Sequence, residues 1–390
     1  MVLVCLAASV AGAQRSTDGE EVPTIDATFR QEVLDVIVRV NDYFMGNHPD
    51  PTVPTFVKRE RPSNLWTRAV YFEGLSALYS IWPKDDYLDY MRRWGDFHEW
   101  KPRNGNTTRN ADDYCCGQTY IDIYNLCREE KMMTNLRAHA GMLVNTPQTD
   151  DWWWVDALQM GMPYLAKMGR TEGDVRYFIK ARDMYVWTRD VNDGGLFCES
   201  DGLWWRDPDF NPPYKEPNGR CCYWSRGNGW AYVAIIRVLE EIRLAVMAGA
   251  VDSDDGEIEA FRSLLTRDFV LMSGALTACQ RDDGFWNCSL HDPTDYGGPE
   301  TSGTALFVCG MAYGVRMGIL DADTFMPVLM RGWNAIAHDA VHADGFIGYV
   351  QGTGKEPKDG QPTAYDSVPD FDDFGTGCVL LAGTEVYKLR

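Results

Sequence analysis

Residues 152–164 read WWWVDALQMGMPY, and this stretch decides the fold. Three tryptophans lead into Asp156, and no other charge follows until Lys167. A helix that is apolar nearly all round must be enclosed by other elements rather than laid on a surface. A single carboxylate at the start of such a helix, beside an aromatic cluster, is also a chemical signal.

Working outward, apolar residues at three- and four-residue spacing mark twelve helices, beginning near residues 27, 66, 84, 111, 131, 152, 173, 226, 255, 299, 321 and 372. The odd-numbered ones are amphipathic and charged, as in EVLDVIVRVNDYF (32–44), YLDYMRRWGDFHEW (87–100) and EGDVRYFIKARDMYVWTRD (172–190). The even-numbered ones carry Gly74, Gly117, Gly161, Gly229, Gly303 and Gly377 near their starts. Glycine costs a helix about 1 kcal/mol relative to alanine, so its recurrence points to close helix packing. Strict alternation of six outer and six inner helices predicts an all-α (α/α)6 barrel, one domain over residues 25–390.

The connections support this reading. Asp193-Gly194-Gly195-Leu196-Phe197, Asp282-Asp283-Gly284-Phe285-Trp286 and Asp344-Gly345-Phe346-Ile347 each read as a turn followed by a short strand-like aromatic segment. All three join an outer helix to the next inner one. They are expected to wall a cleft at the N-terminal ends of the inner helices.

With 45% hydrophobic and 24% charged residues among 390, the chain is globular. A formal charge of -20 argues against nucleic acid or an anionic membrane as partner, because like charges repel over most of the surface. An acidic small substrate needs only a local arginine. Val2 to Val10 are apolar and lead into Ala11-Gly12-Ala13. Residues 1–13 therefore read as the remnant of a secretory signal, which predicts a secreted or periplasmic protein. No later run of about 18 apolar residues is present to span a membrane. The eleven cysteines, including the vicinal pairs Cys115/Cys116 and Cys221/Cys222, form no CxxC pair and no zinc-like cluster with histidine, so most are expected to be buried small hydrophobes.

Four motifs gather at the expected cleft. NADDYCCGQTY (110–120) brings Asp112 and Asp113 to a helix start, either as first-turn acids favoured by the helix dipole or as partners for Asp156. Desolvation in an aromatic cleft and a neighbouring Asp112 carboxylate would both raise the pKa of Asp156, as a general acid requires. YWSRGNGW (223–230) places Arg226 and Trp230 four residues apart on one helical face, a guanidinium for a carboxylate and a ring for a sugar, with Trp224 beside them. In GGPETSGTALF (297–307), Glu300 and Ser302 are either substrate ligands or a capped helix start. The acidic run 252–256 lacks EF-hand spacing, the six histidines do not cluster, and neither a phosphate-cradling glycine loop nor GxSxG occurs.

In these four motifs, in this order, the chain resembles the unsaturated rhamnogalacturonyl hydrolases of glycoside hydrolase family 105, with the unsaturated glucuronyl hydrolases of family 88 as more distant kin. The resemblance runs from about residue 30 to the C-terminus. It implies that Asp156 is the catalytic carboxyl and Asp112 its active-site partner. Arg226 is then the carboxylate-binding arginine, with Trp154 and Trp230 packing on the sugar ring; Trp224, Asp113, Glu300 and Ser302 are further substrate-binding candidates from the motifs themselves. The implied reaction hydrates the C4=C5 bond of an unsaturated uronic acid, with Asp112 holding the proton on Asp156, and requires no metal or organic cofactor. A histidine that some members carry is not evident; in its place the chain reads LFCESDGLWWRD (196–207). The partner implied is an unsaturated uronic-acid-containing oligosaccharide from rhamnogalacturonan, another pectic fragment, ulvan or a glycosaminoglycan. An inverting two-carboxylate hydrolase, a sugar epimerase and a non-catalytic glycan-binding barrel are the rival classes.

Overall fold

The computed structural model describes residues 24–390. Residues 1–13, read above as a signal, lie outside them. In chain order, α1 (Ala27–Asn47) leads through a hairpin of β1 (Thr55–Val57) and β2 (Arg59–Arg61) to α2 (Trp66–Ile81), then α3 (Asp85–Phe97). Next come α4 (Ala111–Tyr114), α5 (Gly117–Cys127), α6 (Lys131–Val144), α7 (Asp156–Glu172) and α8 (Val175–Val186). A hairpin of β3 (Phe197–Cys198) and β4 (Leu203–Trp204) precedes α9 (Ser225–Met247), followed by α10 (Gly256–Ala278), α11 (Thr301–Arg316), α12 (Ala322–Asn334) and α13 (Asp373–Tyr387).

The alternation holds. Inner helices pack in a closed ring, α2 on α5, α5 on α7, α7 on α9, α9 on α11, α11 on α13 and α13 back on α2, with α1, α3, α6, α8, α10 and α12 outside. This is an (α/α)6 barrel. One inner position is broken: the vicinal cysteines Cys115 and Cys116 separate the short α4 from α5. The triple tryptophan is not helical, and α7 starts at Asp156 itself. The strand-like loop segments are mostly single bridges, Trp286 to Glu300 and Val341 to Ile347, and the β1–β2 hairpin was not foreseen.

Ring closure depends on backbone contact. A Cβ on Gly74 would stand 2.6 Å from the carbonyl oxygen of Gly377, and one on Gly377 would strike the carbonyl of Val70, so α2 and α13 meet without side chains between them. In the loops, Gly345 takes φ +100° and lies against the carbonyl of Arg39 on α1, which seats the loop before α13 over an outer helix. All ten described cysteines are free thiols. Among the described residues no helix is long and apolar enough to cross a membrane.

At the end away from the cleft, a cavity of about 530 Å³ is lined by ion-paired side chains, among them Lys167 with Asp122, Arg170 with Glu241, and Arg237 with the buried Glu73.

Gly377→Ala is expected to destabilise the protein by about 1–3 kcal/mol, because the added methyl has no room beside Val70. Gly141→Ala, in the outer helix α6 with nothing within 4 Å, is expected to stabilise by about 0.5–1 kcal/mol. Urea unfolding of the two variants checks both signs.

Candidate active site

Two helix starts carry the site. Asn110 caps α4 by accepting from the Asp112 backbone N–H at 3.0 Å, which sets Asp112 in the first turn. The start of α7 is fixed from three sides: Trp152 Nε1 donates to Tyr114 Oη at 2.7 Å, Thr188 Oγ1 donates to the Trp152 carbonyl at 2.6 Å, and Val155 N donates to the Arg206 carbonyl at 2.8 Å. Lower down, Gln118 Nε2 donates to the Gln159 carbonyl at 2.8 Å and ties α5 to α7. The carboxyls of Asp112 and Asp156 are therefore held at one end of the barrel, close enough that the charge of Asp156 acts on Asp112.

Burial raises both carboxyls, but unequally. Asp112 is pushed up to about 7, first by burial and then by the charge of Asp156. The rise of Asp156, also caused by burial, is opposed by Arg206 and by Arg226. Arg206 Nε donates directly to Asp156 Oδ2 at 3.2 Å. Of the two, only Asp156 has an arginine bonded to it, and that counterion favours its carboxylate form.

Most other expected ligands lie behind this pair. Arg226 is 1% exposed, with its guanidinium over the rings of Trp224 and Phe374. Its Nη1 donates to the carbonyl of Gln351 at 2.6 Å and its Nη2 to that of Gly352 at 2.7 Å, so it anchors the loop before α13 rather than offering a fork to a ligand. Trp224 is buried and donates from Nε1 to Gln351 Oε1. Trp230 has no exposed surface and meets Trp66 edge to face, its centroid 6.2 Å away. Glu300 is the N-cap of α11, accepting from the N–H groups of Ser302 and Gly303, and Ser302 Oγ donates back to it at 2.6 Å. Asp113 accepts from Arg103, Asn104 and Thr108 and orders the loop before α4. Trp154 is buried against Trp153. These placements have a common cause: the Arg226 terminal nitrogens, Trp224, Glu300, Ser302 and Asp113 are bonded to neighbouring segments and the rings are covered by others, while Arg226 Nε and Trp230 Nε1 are buried without a partner.

Three residues at this end of the barrel keep exposed surface instead. Trp153 is 51% exposed, with the Arg206 guanidinium 6.0 Å from its ring. Trp66 is half-buried in front of Trp230. Arg206, whose side chain is 17% exposed, follows β4. That strand is fastened to α9 by Asn228, which accepts from Trp204 N at 2.8 Å and donates to the Trp204 carbonyl at 3.0 Å. The signal for Arg206 was present in the LWWRD segment, where one basic residue follows two tryptophans.

Two buried carboxyls of raised proton affinity among aromatic rings at one end of an (α/α)6 barrel fit a carbohydrate-active enzyme of the glycoside hydrolase class. The chain belongs to the family described as Glycosyl Hydrolase Family 88, which it matches over residues 36–390. An unsaturated 3S-rhamnoglycuronyl hydrolase of Formosa agariphila is 28% identical over 346 residues, covering 83% of this chain and 85% of that protein. A solved glycosyl hydrolase family 88 structure from Bacteroides vulgatus is 32% identical with a TM-score of 0.79, covering 92% of this chain and 99% of the other. A structure described as a polysaccharide lyase is 30% identical with a TM-score of 0.80, over 92% and 97% of the two chains.

The Asp112 shift has a measurable consequence. An unfolded Asp releases its proton near pH 4, whereas the folded one keeps it to about 7. The folded state thus binds the extra proton between these values, and the group's contribution to stability falls as pH rises through that window. Asp112→Asn is expected to be more heat-stable than the wild type above pH 7, with the difference shrinking as pH falls toward about 4. Arg226→Ala, which leaves two buried carbonyls unpaired, is expected to lose about 2–4 kcal/mol in denaturant unfolding, beyond any loss of activity.

Proposed function

We propose that this hydrolase releases a 4,5-unsaturated uronic acid from the non-reducing end of oligosaccharides left by a polysaccharide lyase, by hydrating the C4=C5 vinyl ether. The observation that carries the reading is that Asp112 and Asp156, both raised by burial, stand at one end of the barrel with Arg206 bonded to Asp156. Family membership and the relative acting on an unsaturated rhamnoglycuronyl group support it. That relative's name favours a uronyl residue attached to rhamnose over other pectic or glycosaminoglycan fragments.

Asp156 delivers the pair's proton to C4, and the positive charge develops at C5 and the ring oxygen. Asp156, now a carboxylate, takes a proton from the water that adds at C5. The resulting hemiketal opens to a 5-keto group, and C1, left as a hemiacetal, expels the remaining sugar. Trp153 and Trp66 offer rings against which the pyranose packs. Secretion, by removal of residues 1–13, places the enzyme where lyase products accumulate.

A second reading is favoured by the structure described as a polysaccharide lyase. The two differ in the sign of one signal: a lyase creates the ultraviolet absorbance of the conjugated uronate, whereas the hydrolase abolishes it. Incubation with lyase-digested rhamnogalacturonan, ulvan and glycosaminoglycan is expected to bleach that absorbance, most rapidly for the rhamnose-linked fragment. Solvent deuterium should enter at C4 and labelled water oxygen at C5, while saturated uronides stay intact. Oxygen label at C1 would identify an ordinary two-carboxylate hydrolase instead. Asp156→Asn is expected to lower kcat by at least about 100-fold with the fold unchanged, since the amide neither gives nor takes the proton.

A further inference from the structure

We infer that Arg206 receives the substrate's uronate carboxylate and that, in turning to it, Arg206 leaves Asp156 and thereby moves the pair's proton onto Asp156. The inference rests on the reaction proposed above. It assigns the carboxylate to a residue outside the helix-start motifs.

The donor inventory at the cleft argues for Arg206. Arg226 has both terminal nitrogens on main-chain carbonyls and is buried. Arg206 uses Nε on Asp156 and Nη1 on Asp207 Oδ2 at 2.6 Å, while its Nη2 has no hydrogen-bond partner and is not among the buried unpaired atoms. One edge of the guanidinium is therefore free toward the cleft, beside Trp153. Arginine suits a planar conjugated carboxylate because its fork presents parallel N–H donors.

Asp207 makes the movement possible. It is 3% exposed and is itself fixed, because its Oδ1 accepts from Asp209 N at 2.9 Å. Arg206 can rotate its Nε away from Asp156 while Nη1 stays on this pivot. The main chain does not follow, since the Arg206 carbonyl remains bonded to Val155 N.

The groups facing Asp156 set the direction of the proton. Arg206 and Asp207 face it from the segment after β4, Arg226 from α9, and Asp112 from α4 with Asp113 and Arg103 behind it. Of the two arginines acting on Asp156, only Arg206 is bonded to it and has a terminal nitrogen without a partner. With substrate absent, Arg206 favours the carboxylate form of Asp156 and the proton stays on Asp112. When the substrate carboxylate takes the guanidinium, Asp156 loses its counterion and gains a second negative neighbour. Its proton affinity rises above that of Asp112, and the proton crosses within the pair, which holds one proton before and after. The acid is thus armed only when an anionic sugar is bound.

The test compares wild type, Arg206→Gln and Arg206→Lys on an unsaturated uronyl disaccharide and on its neutral methyl ester, with pH profiles of kcat/KM. The wild type is expected to prefer the acid to the ester by roughly 10- to 100-fold, the strength of a charge-assisted contact. In Arg206→Gln that preference should collapse to within about twofold, and the basic limb of kcat/KM should move to higher pH because free Asp156 has lost its counterion. Arg206→Lys should recover part of the preference, as a charge without the fork. A merely structural role moves neither the preference nor the limb. If Arg206→Gln keeps the full acid-over-ester preference, the carboxylate is held elsewhere; if the limb does not move, Arg206 does not control the proton. A wild type inactive on every unsaturated uronide overturns the proposed reaction itself, a result read before any variant is made.

Discussion

Backbone contact between inner helices is the constraint on which the rest depends. Where α2 meets α13, Gly74 and Gly377 bring the two main chains together, and other inner helices are likewise packed at glycines against single side chains such as Tyr164 and Leu306. A ring this tight leaves no room to stagger the helices freely, so their N-termini open at one face. Six partial positive ends then point at one mouth, and acids collect there: Asp112, Asp156, Glu300 and Asp373.

What separates these acids is what each carboxyl is bonded to. Glu300 is saturated by the N–H groups of its own helix, by Ser302 and by Gln351 N. Asp373, pushed up to about 6 by burial, is held by Thr67 and Arg68. Asp156 has one bonded counterion, Arg206, and Asp112 has no ion pair within bonding distance among the described residues. Availability for proton transfer follows from this inventory and not from position at a helix start. The saturated groups behind the cleft still matter, because Arg226, Gln351 and Asn228 fix the loops that carry the front residues and so keep the two carboxyls at constant separation.

Glycine spacing, amphipathic alternation and the turn motifs were enough to read the barrel, its closed order and the end at which the cleft opens. These features are local: a helix that is apolar all round declares its burial in its own residues, and a glycine in a costly place declares a neighbour. The break at Cys115 and Cys116 and the start of α7 at Asp156 escaped that reading, since both follow from contacts with Tyr164 and Tyr114 on other segments.

For the site, the sequence by itself singled out Asp112 and Asp156 as candidates, Asp156 because it stands in an otherwise uncharged run. It did not determine which arginine is bonded to Asp156 or which tryptophan is exposed. Arg226 and Trp230 sit in the more suggestive motif, yet a guanidinium is available only if no carbonyl already holds it, and a ring only if no other ring covers it. Those conditions are set by the loops at 351–352 and by Trp66, far away in the chain. Tertiary structure alone decided them, and with them the passage of the active-site counterion from the conspicuous Arg226 to Arg206, because hydrogen-bond capacity is used up by whatever folds against it.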